Sequence, residues 1–369
     1  MMRTLPAVGL IFACALSAGA HDAPRVDAGT LNGAAYRIEI PQHWNRELVL
    51  YAHGYDPVQT PRPDPDWDHP FSVRFRQEFL RRGFAFAETD YRTQGWAVAE
   101  AMEDLEALRQ YFTRTHGSPS RTFMVGHSMG GLLTAAMLER HPESFDGGLA
   151  LCGPLVPAVE FFHEILFTRV VAFDALFPGV LRLGPPDRLA PEPGPVTEEE
   201  IAAALQQSPE AARRFTTRFD VTEQDVPRVM AFYRVILAEL LTRAGGNPFD
   251  NRDVIYSGFG DDAAFNRTVR RYAADPKARD YLIAHYTTTG KREDPLLSVY
   301  TAVDPLVDVE TSNRYAVLSA RAGTAELFVQ RFVDAAGHCR ISPELTGRAF
   351  DDLHAWVKDG SRPAPGEQR

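Results

Sequence analysis

Gly126-His127-Ser128-Met129-Gly130 fits the spacing G-x-S-x-G, and its flanks are the ones that spacing needs to do chemistry. An apolar, strand-forming run, Thr122-Phe123-Met124-Val125, leads in; a helix-compatible run from Gly131 to Arg140 leads out. A sharp turn between strand and helix exposes a serine hydroxyl at the end of a sheet, where it can attack a carbonyl. Glycines are needed beside it because a Cβ at either place would strike the neighbouring strand or helix. Ser128 is therefore the candidate nucleophile. The competing reading is a glycine-rich turn whose serine only caps the helix.

A serine hydroxyl needs a general base, and the base needs an orienting acid. With this turn the chain order is nucleophile, acid, histidine. After residue 300 the histidines are His338, in the loop Ala335-Ala336-Gly337-His338-Cys339, and His354, inside a helical pattern. His338 is the expected base. Asp304 follows a strand-like run and precedes Pro305, so it is the expected acid; Asp308, Glu310 and Asp334 are the alternatives. An oxyanion needs two backbone N–H groups. Met129, directly after the serine, should supply one. Tyr55, in the loop His53-Gly54-Tyr55, should supply the other, with Gly54 as the alternative.

Nothing else in the chain competes for chemistry. There is no phosphate-binding loop, no early G-x-G-x-x-G, no H-E-x-x-H and no paired C-x-x-C, so no cofactor and no metal is expected. A formal charge of −10 argues against nucleic acid, whose phosphates need a basic face.

The elements that must position these residues alternate. Strand patterns at 33–41, 47–52, 83–88, 122–125 and 147–152 are separated by helical patterns at 71–82, 98–115 and 131–140. Such alternation implies βαβ units and a mostly parallel sheet with helices on both faces. The alternation stops near Leu155. Helical periodicity broken by Pro and Gly then continues to about residue 290, where strands resume at 295–300 and 326–329 and a last helix starts at Ser342-Pro343. The chain divides into a core at 21–154, a helical cap inserted at 155–290, and the rest of the core at 291–359. A polar, Pro-rich tail at 360–369 reads as disordered. Tyr91 and Trp96, in the loop after the strand at 83–88, should line the pocket beneath the cap.

The first twenty residues read as a signal peptide. Arg3 is followed by a short apolar run to Leu16 and by the small-x-small sequence Ala18-Gly19-Ala20. The run is too short to span a bilayer comfortably, so stable membrane insertion is not expected. A secreted or periplasmic chain starting at His21 keeps two cysteines, Cys152 and Cys339, and an even count in an oxidising compartment invites a disulfide.

His53-Gly54-Tyr55, the Gly126–Gly130 turn, Asp304-Pro305-Leu306-Val307 and Gly337-His338-Cys339 stand in the order that characterises the α/β-hydrolase superfamily. The chain resembles secreted bacterial serine hydrolases that carry Trp-Asn (Trp44-Asn45) before the first sheet motif and Gly-His-Cys at the histidine. The resemblance implies an α/β-hydrolase fold and acyl hydrolysis without a cofactor. In that fold the histidine loop reaches over the sheet edge where Cys152 ends its strand, so a Cys152–Cys339 bridge is expected.

The resulting expectation is an exported serine hydrolase acting on a small-molecule carboxylic ester or amide, with esters favoured. Three alternatives stay open. A proline-type aminopeptidase would need acids such as Glu198, Glu199, Glu200 or Asp225 to hold a free amine. A lipase would use Val159, Phe162, Ile165, Leu166, Val170 and Phe173 as an apolar lid face. A non-catalytic binding protein would need a dead triad. Oligomeric state is not legible.

Overall fold

The computed structural model of the chain describes residues 23–369, so the signal-peptide reading of residues 1–20 lies outside the described residues. The elements in chain order begin with β1 (Arg25–Leu31), β2 (Ala34–Ile40), β3 (Glu47–Ala52), α1 (Pro70–Leu80), β4 (Ala85–Thr89), α2 (Val98–His116), β5 (Arg121–His127), α3 (Met129–Arg140) and β6 (Gly147–Leu151). Then come α4 (Ala158–Phe161), a π-helical turn at Phe162–Phe167, α5 (Thr168–Leu176), α6 (Glu198–Gln207), α7 (Pro209–Phe219), α8 (Val226–Ala244), α9 (Asp262–Thr268) and α10 (Pro276–Tyr286). The chain closes with β7 (Leu296–Val303), α11 (Val309–Arg321), β8 (Phe328–Ala336), α12 (Pro343–Asp359) and β9 (Gly366–Glu367).

The strands form one sheet in the order β1-β2-β4-β3-β5-β6-β7-β8-β9. β1 and β2 pair antiparallel, as do β2 and β4, and the remaining neighbours are parallel. Alternate side chains leave opposite faces of each strand. Leu48, Leu50, Met124 and Ala150 therefore pack with α2 and α3, while Val49, Phe123, Val125 and Leu149 pack with α1 and α12. Both faces are covered, which is why the central strands read as nearly continuous apolar runs. This is the α/β-hydrolase fold.

The helices between β6 and β7 sit over the ends of the parallel strands. Their buried faces are continuous with the α2–α3 side of the core. On α8, Val226, Val229, Tyr233, Ile236, Leu237 and Leu240 are buried at helical spacing. Thr222 and Asp225 bond each other just before this helix, which starts at Val226.

One expectation needs correction here. The tail does not read as disordered in the fold. Gly366 and Glu367 pair with Arg331 and Phe332, and Gln368 is buried. Arginines account for this. Arg331 donates to the Ala364 carbonyl, and Arg362 donates to the Phe328 carbonyl while its guanidinium lies over Trp356. The polar residues that made the segment look unstructured are the ones that dock it. At the other end, the segment before β2 is a full strand, β1. Its residues are mostly exposed, so it carries no apolar alternation.

Candidate active site

The turn after β5 forces Ser128 to φ 53° and ψ −118°, a conformation that costs a side-chain-bearing residue on the order of 1–3 kcal/mol. The surroundings enforce it. A Cβ on Gly126 would lie 2.1 Å from the Gly130 carbonyl oxygen, and one on Gly130 would lie 2.0 Å from that of Ala52. Only glycine fits at both places, so β5 and α3 can meet at the sharp angle that presents the Ser128 hydroxyl.

His338, in the loop after β8, places Nε2 2.8 Å from Ser128 Oγ and Nδ1 2.7 Å from Asp304 Oδ2. A carboxylate can only accept, so Nδ1 carries the proton and Nε2 is free to accept from the serine. Asp304 follows β7 with its side chain fully buried. Its other oxygen accepts from the Leu306 and Val307 amides at 2.9 and 3.0 Å. Those bonds compensate the burial of the charge and fix the carboxylate's plane.

The rival acids have other tasks or lie open. Asp308 caps α11 through the Thr311 amide, and Glu310 and Asp334 are exposed. His354 bonds Glu47 and packs edge-on against Phe84. His127 is buried beside the nucleophile, with Nδ1 3.3 Å from the Tyr51 hydroxyl and Nε2 without a partner among the described residues. Burial pushes its pKa down to about 3, so it is neutral. His53 stacks on Tyr91 and is likewise pushed down by burial, to about 4. Neither imidazole is poised to exchange protons near neutral pH.

Cys152 and Cys339 are joined by a disulfide, with Cα atoms 5.4 Å apart. Cys152 ends β6 and Cys339 follows the histidine, so the bond ties the His338 loop to the sheet.

A cavity of about 360 Å³ opens above Ser128 and His338. Tyr51, Tyr55, Phe71 and Trp96 line it from the core, and Phe161, Phe162, Leu166, Phe232, Tyr233 and Ile236 line it from the inserted helices. Among the described residues, no carboxylate lines it. Trp96 lines it, edge-on to Phe162. Tyr91 does not. Its backbone takes φ 42°, its ring is buried against His53, and its hydroxyl donates to the His53 carbonyl. It supports the Tyr55 loop from below instead of meeting a substrate.

The Tyr55 loop sits beside the nucleophile. A Cβ on Gly54 would be 3.4 Å from that of Ser128. Neither the Tyr55 nor the Met129 N–H donates to an acceptor among the described residues. Sequence reasoning missed Glu239 of α8. It accepts from the Tyr55 hydroxyl at 2.7 Å and from the Trp96 amide at 3.1 Å. The available signal was a lone carboxylate in the apolar run Ile236-Leu237-Ala238-Glu239-Leu240-Leu241.

The sheet order and the Ser128 turn are those of the α/β-hydrolase fold. A family model described as serine aminopeptidase, S33, matches residues 73–219. A curated relative, an o-phthalyl amidase of Xanthobacter agilis, is 28% identical over 123 residues, covering 32% of this chain and 25% of the relative. Among solved structures, an acylaminoacyl peptidase from Pyrococcus horikoshii is similar with a TM-score of 0.46 at 11% identity, over 92% of this chain and 42% of that one. An esterase from Pyrococcus furiosus is similar with a TM-score of 0.44 at 14% identity, over 98% and 95% of the two chains. The chain thus spans a quarter of the length of the curated relative and less than half of the Pyrococcus horikoshii peptidase.

Proposed function

We propose that this protein is an exported serine hydrolase that cleaves uncharged, apolar carboxylic esters through an acyl-enzyme. The observation that carries the reading is the continuous hydrogen-bonded line from Asp304 through His338 to Ser128 at the floor of an apolar cavity.

In this reading Ser128 Oγ attacks the ester carbonyl while His338 Nε2 takes its proton. Asp304 keeps the imidazole in the tautomer that can accept, and stabilises it once it is charged. The Met129 and Tyr55 amides receive the oxyanion. His338 then returns the proton to the departing alkoxide, and water, activated by the same nitrogen, cleaves the acyl-enzyme. No step needs a cofactor. The helical insertion 155–290 acts as the cap that closes the acyl pocket and excludes water from it.

The lining supports an uncharged acyl group with an aromatic or branched body. Aromatic side chains contribute most of the wall, and a bound carboxylate or amine would meet no opposite charge there. The S33 match keeps an aminopeptidase as the second reading. The acids that reading would have used do not serve it: Glu198, Glu199 and Glu200 are exposed at the start of α6, and Asp225 bonds Thr222. The apolar residues proposed as the lid face of a lipase divide between core and cavity. Val170 and Phe173 are buried in the protein core, while Phe162 and Leu166 line the cavity.

A panel decides between these readings. p-Nitrophenyl esters of increasing acyl size, aryl amides and aminoacyl anilides should be compared by kcat/KM. Neutral esters with aromatic or medium-length acyl groups should be the best substrates. Preference for anilides with a free α-amine would instead establish the aminopeptidase.

A further inference from the structure

We propose that Glu239 is a positioning residue through which the cap sets the oxyanion donor of Tyr55. The inference rests on the serine-hydrolase reading above. Tyr55 lies three residues beyond β3, in a loop with little backbone bonding of its own. What holds the loop is the neighbouring segment at 94–96: the Gly95 amide donates to the Asp56 carbonyl at 2.8 Å, and the Gln94 side chain donates to the Asp56 carboxylate at 2.6 Å. Glu239 ties both segments to α8, taking the Tyr55 hydroxyl on one oxygen and the Trp96 amide on the other.

The approach is close. A Cβ on Gly95 would stand 2.8 Å from Glu239 Oε2, and the backbone there has φ 82°. The left-handed backbone there favours glycine, and the missing side chain leaves the carboxylate room at the loop. One helical turn on, Arg243 fastens the same junction. It donates to the Gln94 carbonyl at 2.8 Å and pairs with Glu100 at 3.0 Å. The Tyr55 ring is held edge-on by Phe232 of the same helix, with centroids 5.3 Å apart.

A tyrosine side chain has two rotatable bonds. Fixing its hydroxyl and its ring therefore constrains the backbone from which it springs. Oxyanion donors act at 2.7–3.1 Å, and misplacement by about an ångström can cost about 100-fold in rate. Burial raises the pKa of both the Glu239 carboxyl and the Tyr55 phenol, so the phenol remains a donor. Both carboxylate oxygens are already engaged, which argues against Glu239 serving as a receptor for a substrate amine.

The test uses Tyr55→Phe, Glu239→Gln and the double variant in the full-length mature protein, with Ser128→Ala as reference. On a neutral ester, each single variant should lose about 10- to 100-fold in kcat with KM within about twofold. Affinity for a trifluoromethyl ketone, which forms a tetrahedral adduct, should fall by the same factor. The double variant should be no worse than the poorer single one, because Tyr55→Phe removes an interaction that Glu239→Gln also disrupts. Unchanged kcat in Tyr55→Phe, a loss confined to KM, or multiplied losses would overturn the inference. So would a Glu239→Gln effect confined to aminoacyl anilides, which would make it an amine receptor. If Glu239→Gln fails to fold, Tyr55→Phe decides alone. Turnover surviving in Ser128→Ala would instead refute the underlying serine-hydrolase reading.

Discussion

The floor and the ceiling of the cavity are built on different principles. The floor is polar and over-determined. Ser128 is held by a turn in which two glycines admit no Cβ, Asp304 by two amides, and His338 by a neighbouring disulfide. The ceiling is made of side chains from the π-helical turn at 162–167 and from α8, and it touches the cavity mainly through carbon. Its polar links to the floor include Glu239, reinforced by Arg243, and the Tyr233 hydroxyl, which donates to the Leu306 carbonyl beside Asp304. Fixed geometry therefore belongs to the groups proposed to react, and shape belongs to the groups proposed to select. Variants in the two regions should fail differently.

The largest effect should come from the floor. Asp304→Asn preserves volume but offers the imidazole the wrong tautomer. It should lower kcat about 10⁴-fold with KM little changed and a native melting temperature. If Asp308→Asn does this damage instead, the acid is misassigned.

The disulfide comes next. It spans 187 residues, and the chain-entropy model gives such a closure about 5 kcal/mol. Cys152→Ser with Cys339→Ser should lower the unfolding free energy from urea titration by an amount approaching this, and should reduce kcat, since the His338 loop loses its anchor. Full stability in the double variant would show that packing alone holds the loop.

Protonation sharpens the contrast further. His53 and His127 are neutral in the fold, with pKa values held near 4 and 3 against an ordinary 6.5. Between pH 6.5 and 4 the unfolded chain binds protons that the folded chain refuses. Stability should therefore fall as pH falls through that window, by on the order of 3 kcal/mol for each imidazole at pH 4. Urea titrations at pH 7 and 4.5 would measure it. His127→Leu should flatten the dependence; an unchanged slope would mean that this imidazole is not the group excluding the proton.

The smallest effect should come from the ceiling. Leu166→Ala should lower kcat/KM for bulky aromatic acyl esters about 10-fold while leaving acetyl esters nearly unaffected, the scale of a few methylenes in an apolar pocket. Equal losses on both would mean that α8 and the π-helical turn support the floor more than they select.

Legibility in the sequence followed the same division. The Ser128 turn was readable because its constraint is local, imposed between residues four apart. The polar partners of Ser128 were readable from chain order and loop composition, and the structure brings all three side chains into line. The cap's helices could be read from periodicity, but not which faces meet the cavity, because a buried face looks alike whether it packs on protein or on substrate. Glu239 stood out as a lone carboxylate in an apolar run, but its partners, 184 and 143 residues away, could not be read from it. Tyr91 was misplaced because its left-handed backbone turns the ring inward. The tail was misread because composition does not reveal that Arg331 reaches back to bind it.

The central claim is that Ser128 is the nucleophile, and covalent labelling tests it most directly. A fluorophosphonate probe should add one equivalent to the mature protein. Peptide mapping should place it on Ser128, and ester turnover should fall in proportion to labelling. Ser128→Ala should take up no probe and lose several orders of magnitude in kcat. Labelling at another residue, or near-normal turnover in Ser128→Ala, would contradict the account.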